Sequence, residues 1–154
     1  MVEQKWKAAI EAAIKTEEQS IALYSTALEN AKYPESKIFF KELVEQEVGH
    51  KNKLQAILAD PTKMTELGTK SQSVQDLKIV DMLQDIPLSP TADYQTILIY
   101  AAKREKSSYD YYKMLALGLK GTPMADLFNK LAQEEQTHKN KLEKEYDDCV
   151  LQDN

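Results

Sequence analysis

The chain contains itself twice. The run His-Lys-Asn-Lys-Leu stands at 50–54 and again at 138–142, an offset of 88. The same offset carries Glu47 to Glu135, Leu43 to Leu131 and Phe40 to Phe128. It also carries Glu17 to Glu105 and Tyr24 to Tyr112 in an earlier segment of each half. Within each half the two Glu are thirty residues apart, 17 to 47 and 105 to 135. A fold for this chain must therefore use one unit twice and place the same polar residues at matched positions.

Each unit reads as a helix hairpin. Residues about 4–31 lack Gly and Pro, and Ile10, Glu17 and Tyr24 fall at spacing seven beside a row of Ile14, Ile21 and Leu28. Tyr33-Pro34 ends that helix, because a residue before Pro avoids the helical region. A second helix runs from Pro34 to about Ala59, with Phe40, Glu47 and Leu54 in one row and Leu43, His50 and Ile57 in the next, and Asp60-Pro61 stops it. A third is expected from near Thr91 to Gly121, carrying Leu98, Glu105, Tyr112 and Leu119. Thr122 and Pro123 read as cap and first residue of a fourth, which carries Phe128, Glu135 and Leu142 with Leu131 and His138 alongside, and is expected to fray near Asp147.

Between the hairpins, residues 60–90 differ in character, with Gly68, Pro87, Pro90, several Ser and Thr, and one short amphipathic piece from Val74 to Leu83. So long a connection inside a compact domain needs a role. Running back along the bundle supplies one and makes helices two and three parallel. The expected fold is an all-α, ferritin-like four-helix bundle, one domain over 1–154, with hairpins at about 4–59 and 91–148 and a crossover at 60–90.

The repeated polar residues point to metal. Three residues along a helix turn about 300° and rise about 4.5 Å, so the members of Glu-x-x-His share a face. Glu47-Val-Gly-His50 and Glu135-Gln-Thr-His138 are two such pairs, and they use both histidines of the chain. Each Glu lies between apolar residues seven before and seven after it, so it faces the core. All four Glu lie near the middle of their helices and meet at one level in an antiparallel bundle. Four bare carboxylates there would be severely destabilising. Two divalent cations balance their charge. Carboxylate with imidazole suits iron or manganese, and zinc also fits. Single Glu-x-x-His matches are commonly solvated helix faces, but here both obey the repeat. Glu18, Glu45 and Glu134 adjoin the expected ligands but turn about 100–200° away from them and are expected at the surface. Tyr24 and Tyr112, two turns beyond Glu17 and Glu105, are either amphipathic core residues or hydroxyl donors to a ligand carboxylate across the bundle. Tyr109, Tyr111, Phe39 and Phe40 are expected to pack, and Trp6 to pack or to lie at an interface.

Composition narrows the class. The net charge of −5 with no basic stripe gives no pull toward nucleic acid. No apolar run is long enough for a bilayer, and Glu11, Lys15 and Glu17 interrupt the first apolar stretch, so no membrane anchor or signal peptide is expected. Cys149 is the only cysteine, too few for a thiolate metal site, and a reducing cytoplasm is the expected setting. Near an expected frayed end, Cys149 reads as incidental.

Taken together, Glu17 with Tyr24, Glu47-x-x-His50, Glu105 with Tyr112 and Glu135-x-x-His138 resemble the rubrerythrin group of the ferritin-like superfamily, over nearly the whole chain. The resemblance implies two iron ions on Glu17, Glu47, His50, Glu105, Glu135 and His138, with Glu47 and Glu135 bridging. It implies reaction with peroxide or dioxygen, a dimer or larger homo-oligomer, and an external electron donor such as a rubredoxin-like protein. Two departures stand out. Rubrerythrins usually carry a rubredoxin-like module with two Cys-x-x-Cys pairs, which one cysteine cannot supply. They also carry a further carboxylate one turn from the helix-three Glu, where this chain has Ala102 and Ser108. These weaken the peroxidase expectation and favour a simpler ferritin-like site, so the alternatives are iron storage or handling, or a bundle that keeps metal only for stability.

Overall fold

The computed structural model describes residues 2–63, 76–79, 81, 83 and 93–153, with side chains from 6 to 150. Among these there are four α-helices and no strand: α1 over Val2–Asn30, α2 over Pro34–Ala59, α3 over Tyr94–Gly118 and α4 over Pro123–Asp153. A 3-10 turn, Pro61–Lys63, follows α2.

The boundaries follow local chemistry. Tyr33 is extended (φ −106°, ψ 143°) and Pro34 opens α2. At the other end Asp60 leaves the helix and accepts from the Thr62 hydroxyl at 2.7 Å. The third helix starts at Tyr94, three residues later than expected, because the Asp93 side chain caps it by accepting from the Thr96 amide at 2.8 Å. Between α3 and α4 the chain turns through Gly121, whose φ of +89° lies in the region glycine alone enters freely. Thr122 then caps α4, its hydroxyl accepting from the Ala125 amide at 3.4 Å. The last helix does not fray at Asp147. It continues to Asp153, because Tyr146 and Cys149 extend the Leu142 row and pack on the core. Cys149 is accordingly half-buried in packing rather than incidental.

Two apolar clusters fill the bundle. One joins Ile10 and Ile14 of α1, Leu54 and Ile57 of α2, Tyr112 and Ala116 of α3, and Leu127, Phe128 and Leu131 of α4. The other joins Tyr24, Phe40, Leu43, Leu98 and Leu142. Trp6, Tyr109 and Tyr111 pack on the first cluster and Phe39 on the second. A Phe or Leu taken fully from water contributes about 1.5–3 kcal/mol, so these layers carry most of the stabilisation.

The clusters also fix helix direction. The start of α2 and the start of α3 meet at one end, where the Phe40 and Tyr94 rings are 5.9 Å apart edge to face. Their last turns, with Ile57 and Ala116, share the apolar cluster at the other end. So α2 and α3 run parallel, and the chain leaves Ala59 at one end of the bundle and re-enters helix at the other. Most of the expected crossover lies outside the described residues, as do residues 74, 75, 80 and 82 of the piece from Val74 to Leu83. Its described part rests on α4: the Leu77 amide donates to Asn140 Oδ1 at 3.1 Å, and Lys139 reaches Asp76 and Asp81. The layer between the two apolar clusters is left for polar residues.

Candidate metal centre

Glu17 from α1, Glu47 and His50 from α2, Glu105 from α3, and Glu135 and His138 from α4 converge in that layer, each no more than 4% exposed. Heptad spacing to apolar residues on both sides turns the four Glu and His50 inward, and His138 follows Leu131 by the same spacing. His50 Nδ1 lies 3.0 Å from Glu135, 3.6 Å from Glu17 and 3.8 Å from Glu47. His138 Nδ1 lies 2.6 Å from Glu47, 3.7 Å from Glu105 and 4.0 Å from Glu135. These three contacts are the first three under the 88-residue exchange, so the repeat in sequence is a pseudo-two-fold axis in space. The imidazoles stack about it at 5.6 Å and 16°.

The tyrosines obey the same exchange. Tyr24 donates its hydroxyl to Glu105 Oε1, and Tyr112 donates to Glu17 Oε1 at 2.5 Å. Both rings are fully buried, and each hydroxyl reaches the carboxylate of the opposite hairpin. Of the two roles open to them in the sequence, the structure supports hydroxyl donation.

The oxygens and nitrogens of the cage are under-partnered. Glu17 Oε2, both oxygens of Glu47, Glu105 Oε2, Glu135 Oε1 and Nδ1 of both histidines are buried without a hydrogen-bond partner. Burial, with Glu47 beside it, pushes Glu17 up to about 8. Burial and the neighbouring Glu105, Glu47 and Glu17 hold Glu135 well above the usual carboxylate range. Burial alone would raise Glu47 too, but the neighbouring Glu17 and both histidines outweigh it and keep Glu47 ionised below that range. Burial opposes a charged His138, yet Glu105 and Glu47 overcome it and push the imidazole up to about 9. Without a cation the cage thus holds its charge only by taking up protons.

The donor set fits two metal ions. Glu17, Glu47, His50 and Glu135 place one ligand atom each within 4.8 Å of one another, and so do Glu47, Glu105, Glu135 and His138. Buried carboxylates and imidazoles whose lone pairs face a common centre are what a divalent cation satisfies.

One contributor was misplaced by the sequence reading. Glu18 and Glu45 are exposed as expected, but Glu134 is only 32% exposed in its side chain, and its Oε2 lies 2.5 Å from His50 Nε2. Its place about 100° from Glu135 does not take it to solvent, because that flank of α4 faces α2 across a cleft of ≈ 310 Å³. Gln46, His50, Lys53, Glu134, His138 and Lys141 line this cleft. A second missed residue is Lys139. It repeats Lys51, which is half-exposed, yet Lys139 is buried with its Nζ 2.9 Å from Asp76, 2.8 Å from Asp81 and 3.2 Å from Glu143.

A four-helix bundle with a buried cluster of four Glu and two His that could hold metal defines a ferritin-like protein. A protein-family model described as Rubrerythrin matches residues 4–85 and 96–154, which include all six cage residues and both tyrosines. The chain belongs to the rubrerythrin family. Comparison with the curated proteins and with the solved structures found no match. Among the described residues no helix is long and apolar enough to cross a membrane.

Proposed function

We propose that this chain is a di-iron oxidoreductase that oxidises Fe(II) and reduces peroxide or dioxygen. One observation carries the reading: the two four-residue ligand sets overlap in Glu47 and Glu135. Residues common to both sets are suited to bridge a metal pair, with Glu17 and His50 completing one position and Glu105 and His138 the other. Two irons held side by side would supply one electron each to a two-electron oxidant. The protein's own groups do the rest. Tyr24 and Tyr112 hold Glu105 and Glu17 in place and are buried proton donors at those carboxylates, their acidity suppressed first by burial. The apolar clusters above and below keep bulk water from the layer, and the cleft between α2 and α4 is a route for a small oxidant to the histidines. Reducing equivalents would come from a separate donor such as a rubredoxin-like protein, in a cytoplasmic homodimer or larger oligomer.

Ferritin-like storage or handling of iron is the second reading. It is favoured by Ala102, fully buried one turn from Glu105 where rubrerythrins carry a further carboxylate. Metal analysis of anaerobically prepared protein, followed by stopped-flow mixing of the Fe(II) form with peroxide or dioxygen, tests the first reading. About two irons per chain and rapid oxidation by either oxidant are expected. Slow oxidation by both, with gel filtration showing assembly on added Fe(II), would favour storage.

A further inference from the structure

The duplication is kept wherever a side chain enters the cage, and it is broken just outside, at the far edge of one imidazole. His50 turns Nδ1 toward Glu135 and Glu17, and its Nε2 meets the Glu134 carboxylate at 2.5 Å. Eighty-eight residues before Glu134 stands Gln46, so the corresponding position beside His138 carries a neutral amide. Among the described residues no carboxylate pairs with Nε2 of His138, although Gln46 lines the same cleft. The cleft is otherwise nearly symmetric, with Lys53 matched by Lys141 and His50 by His138.

A carboxylate on the outer nitrogen of a histidine holds the proton there. It leaves the inner nitrogen's lone pair free, fixes the ring's orientation and strengthens it as a ligand. Among the described residues His50 has this support and His138 does not. We propose that Glu134 is a positioning residue that makes the metal position at Glu17, Glu47, His50 and Glu135 tighter than the one at Glu47, Glu105, Glu135 and His138, so that a divalent ion fills the two in sequence. The proposal rests on the two-metal reading given above. It deepens it by making the halves of a near-symmetric site unequal, so that a half-loaded protein has one defined arrangement instead of two.

Anaerobic calorimetric titration of the whole chain with Co(II), monitored also by visible absorption, tests it. Wild-type protein is expected to bind in two steps separated by about 10- to 100-fold, the range in which such outer partners act. In Glu134→Gln the first step weakens by that factor and the two steps merge. In Gln46→Glu the second step tightens toward the first. His138→Ala keeps the tight step and His50→Ala loses it. Circular dichroism confirms that each variant keeps its helices; if Glu134→Gln does not, Gln46→Glu decides, and unchanged spacing between its steps overturns the proposal. Two equal steps in wild type, an unchanged first step in Glu134→Gln, or loss of the tight step in His138→Ala also overturns it while leaving the two-metal reading intact. No Co(II) uptake by wild type would remove both.

Discussion

His50 and His138 stack with their rings 5.6 Å apart, and each directs Nδ1 not to the Glu of its own helix but more closely to the Glu of the opposite hairpin: 3.0 Å against 3.8 Å for His50, 2.6 Å against 4.0 Å for His138. The two Glu-x-x-His pairs are thus interleaved across the axis. Glu47 and Glu135 become the shared members of both ligand sets, and the first expectation follows from that.

Glu47→Ala and Glu135→Ala should impair metal loading to a similar degree, because each removes a ligand from both positions. In wild type, free metal at one hundred times its dissociation constant stabilises by about 2.7 kcal/mol. That increment should shrink in both variants. In apo protein each change removes a crowded carboxylate and leaves a small cavity, so the net effect should be neutral or mildly stabilising. Anaerobic thermal melts with Fe(II) and with chelator check this. Equal destabilisation under both conditions would make these Glu structural.

Apo protein should lose stability as pH rises from about 4.5 to about 9, the range spanned by the shifts below. Glu17 is raised from 4.5 to about 8, so its contribution is present below 4.5 and is lost as pH climbs through 8. His138 is raised from 6.5 to about 9, so its contribution is present below 6.5 and is lost as pH climbs through 9. Glu47 is shifted the other way and acts only in acid, where its contribution falls away as pH drops. Metal binding needs the deprotonated ligands and should strengthen over the same alkaline range. Melting temperature against pH should therefore fall with chelator and fall less, or rise, with metal. Parallel curves would count against a protonated apo cage.

Tyr24→Phe and Tyr112→Phe should behave alike. Each deletes the hydroxyl donor to one buried carboxylate, Glu105 or Glu17, with little change in packing. A loss of about 1–3 kcal/mol in apo protein is expected from each, with metal affinity lowered about 10- to 100-fold. Denaturant unfolding and metal titration read the two effects. A marked effect from only one of the pair would break the functional equivalence of the halves at this layer.

Lys139→Met should loosen the connection between the hairpins without reaching the cage. Three carboxylates lose their buried ammonium partner. Breaking a buried pair costs about 3–5 kcal/mol, and the partial exposure of Asp76 and Asp81 puts the expectation at the low end. Amide exchange at Leu77 should speed up while that of α1 stays slow. Unchanged exchange at Leu77 would mean that its bond to Asn140 holds the segment unaided.

The cage was legible because its residues report themselves twice. Both histidines sit three residues after a Glu, and each Glu has apolar residues seven away on either side, so facing and level can be read without coordinates. Glu134 was not legible. Its neighbour Glu135 takes the inward direction, and a position 100° away faces solvent or a second helix according to how closely α4 meets α2. Lys139 fails for a similar reason: its repeat-mate Lys51 pairs loosely with Glu18 at 3.6 Å, whereas Asp76 and Asp81, set against α4, turn the same residue type into a buried one. The length of α4 was misjudged because Asp147 and Asp148 read as a solvated end, while Tyr146 and Cys149 carry the packing row past them.

The hydroxyl bonds from Tyr24 to Glu105 and from Tyr112 to Glu17 each pass from one hairpin to the other. A single hairpin would hold a tyrosine with no carboxylate to meet and a carboxylate with no hydroxyl. It could close those bonds only against a second copy of itself, turned by half a revolution. The chain is in this sense a homodimer drawn out as one thread. The link between its halves is what freed position 46 and position 134 to diverge, since a true dimer must write the same letter at both.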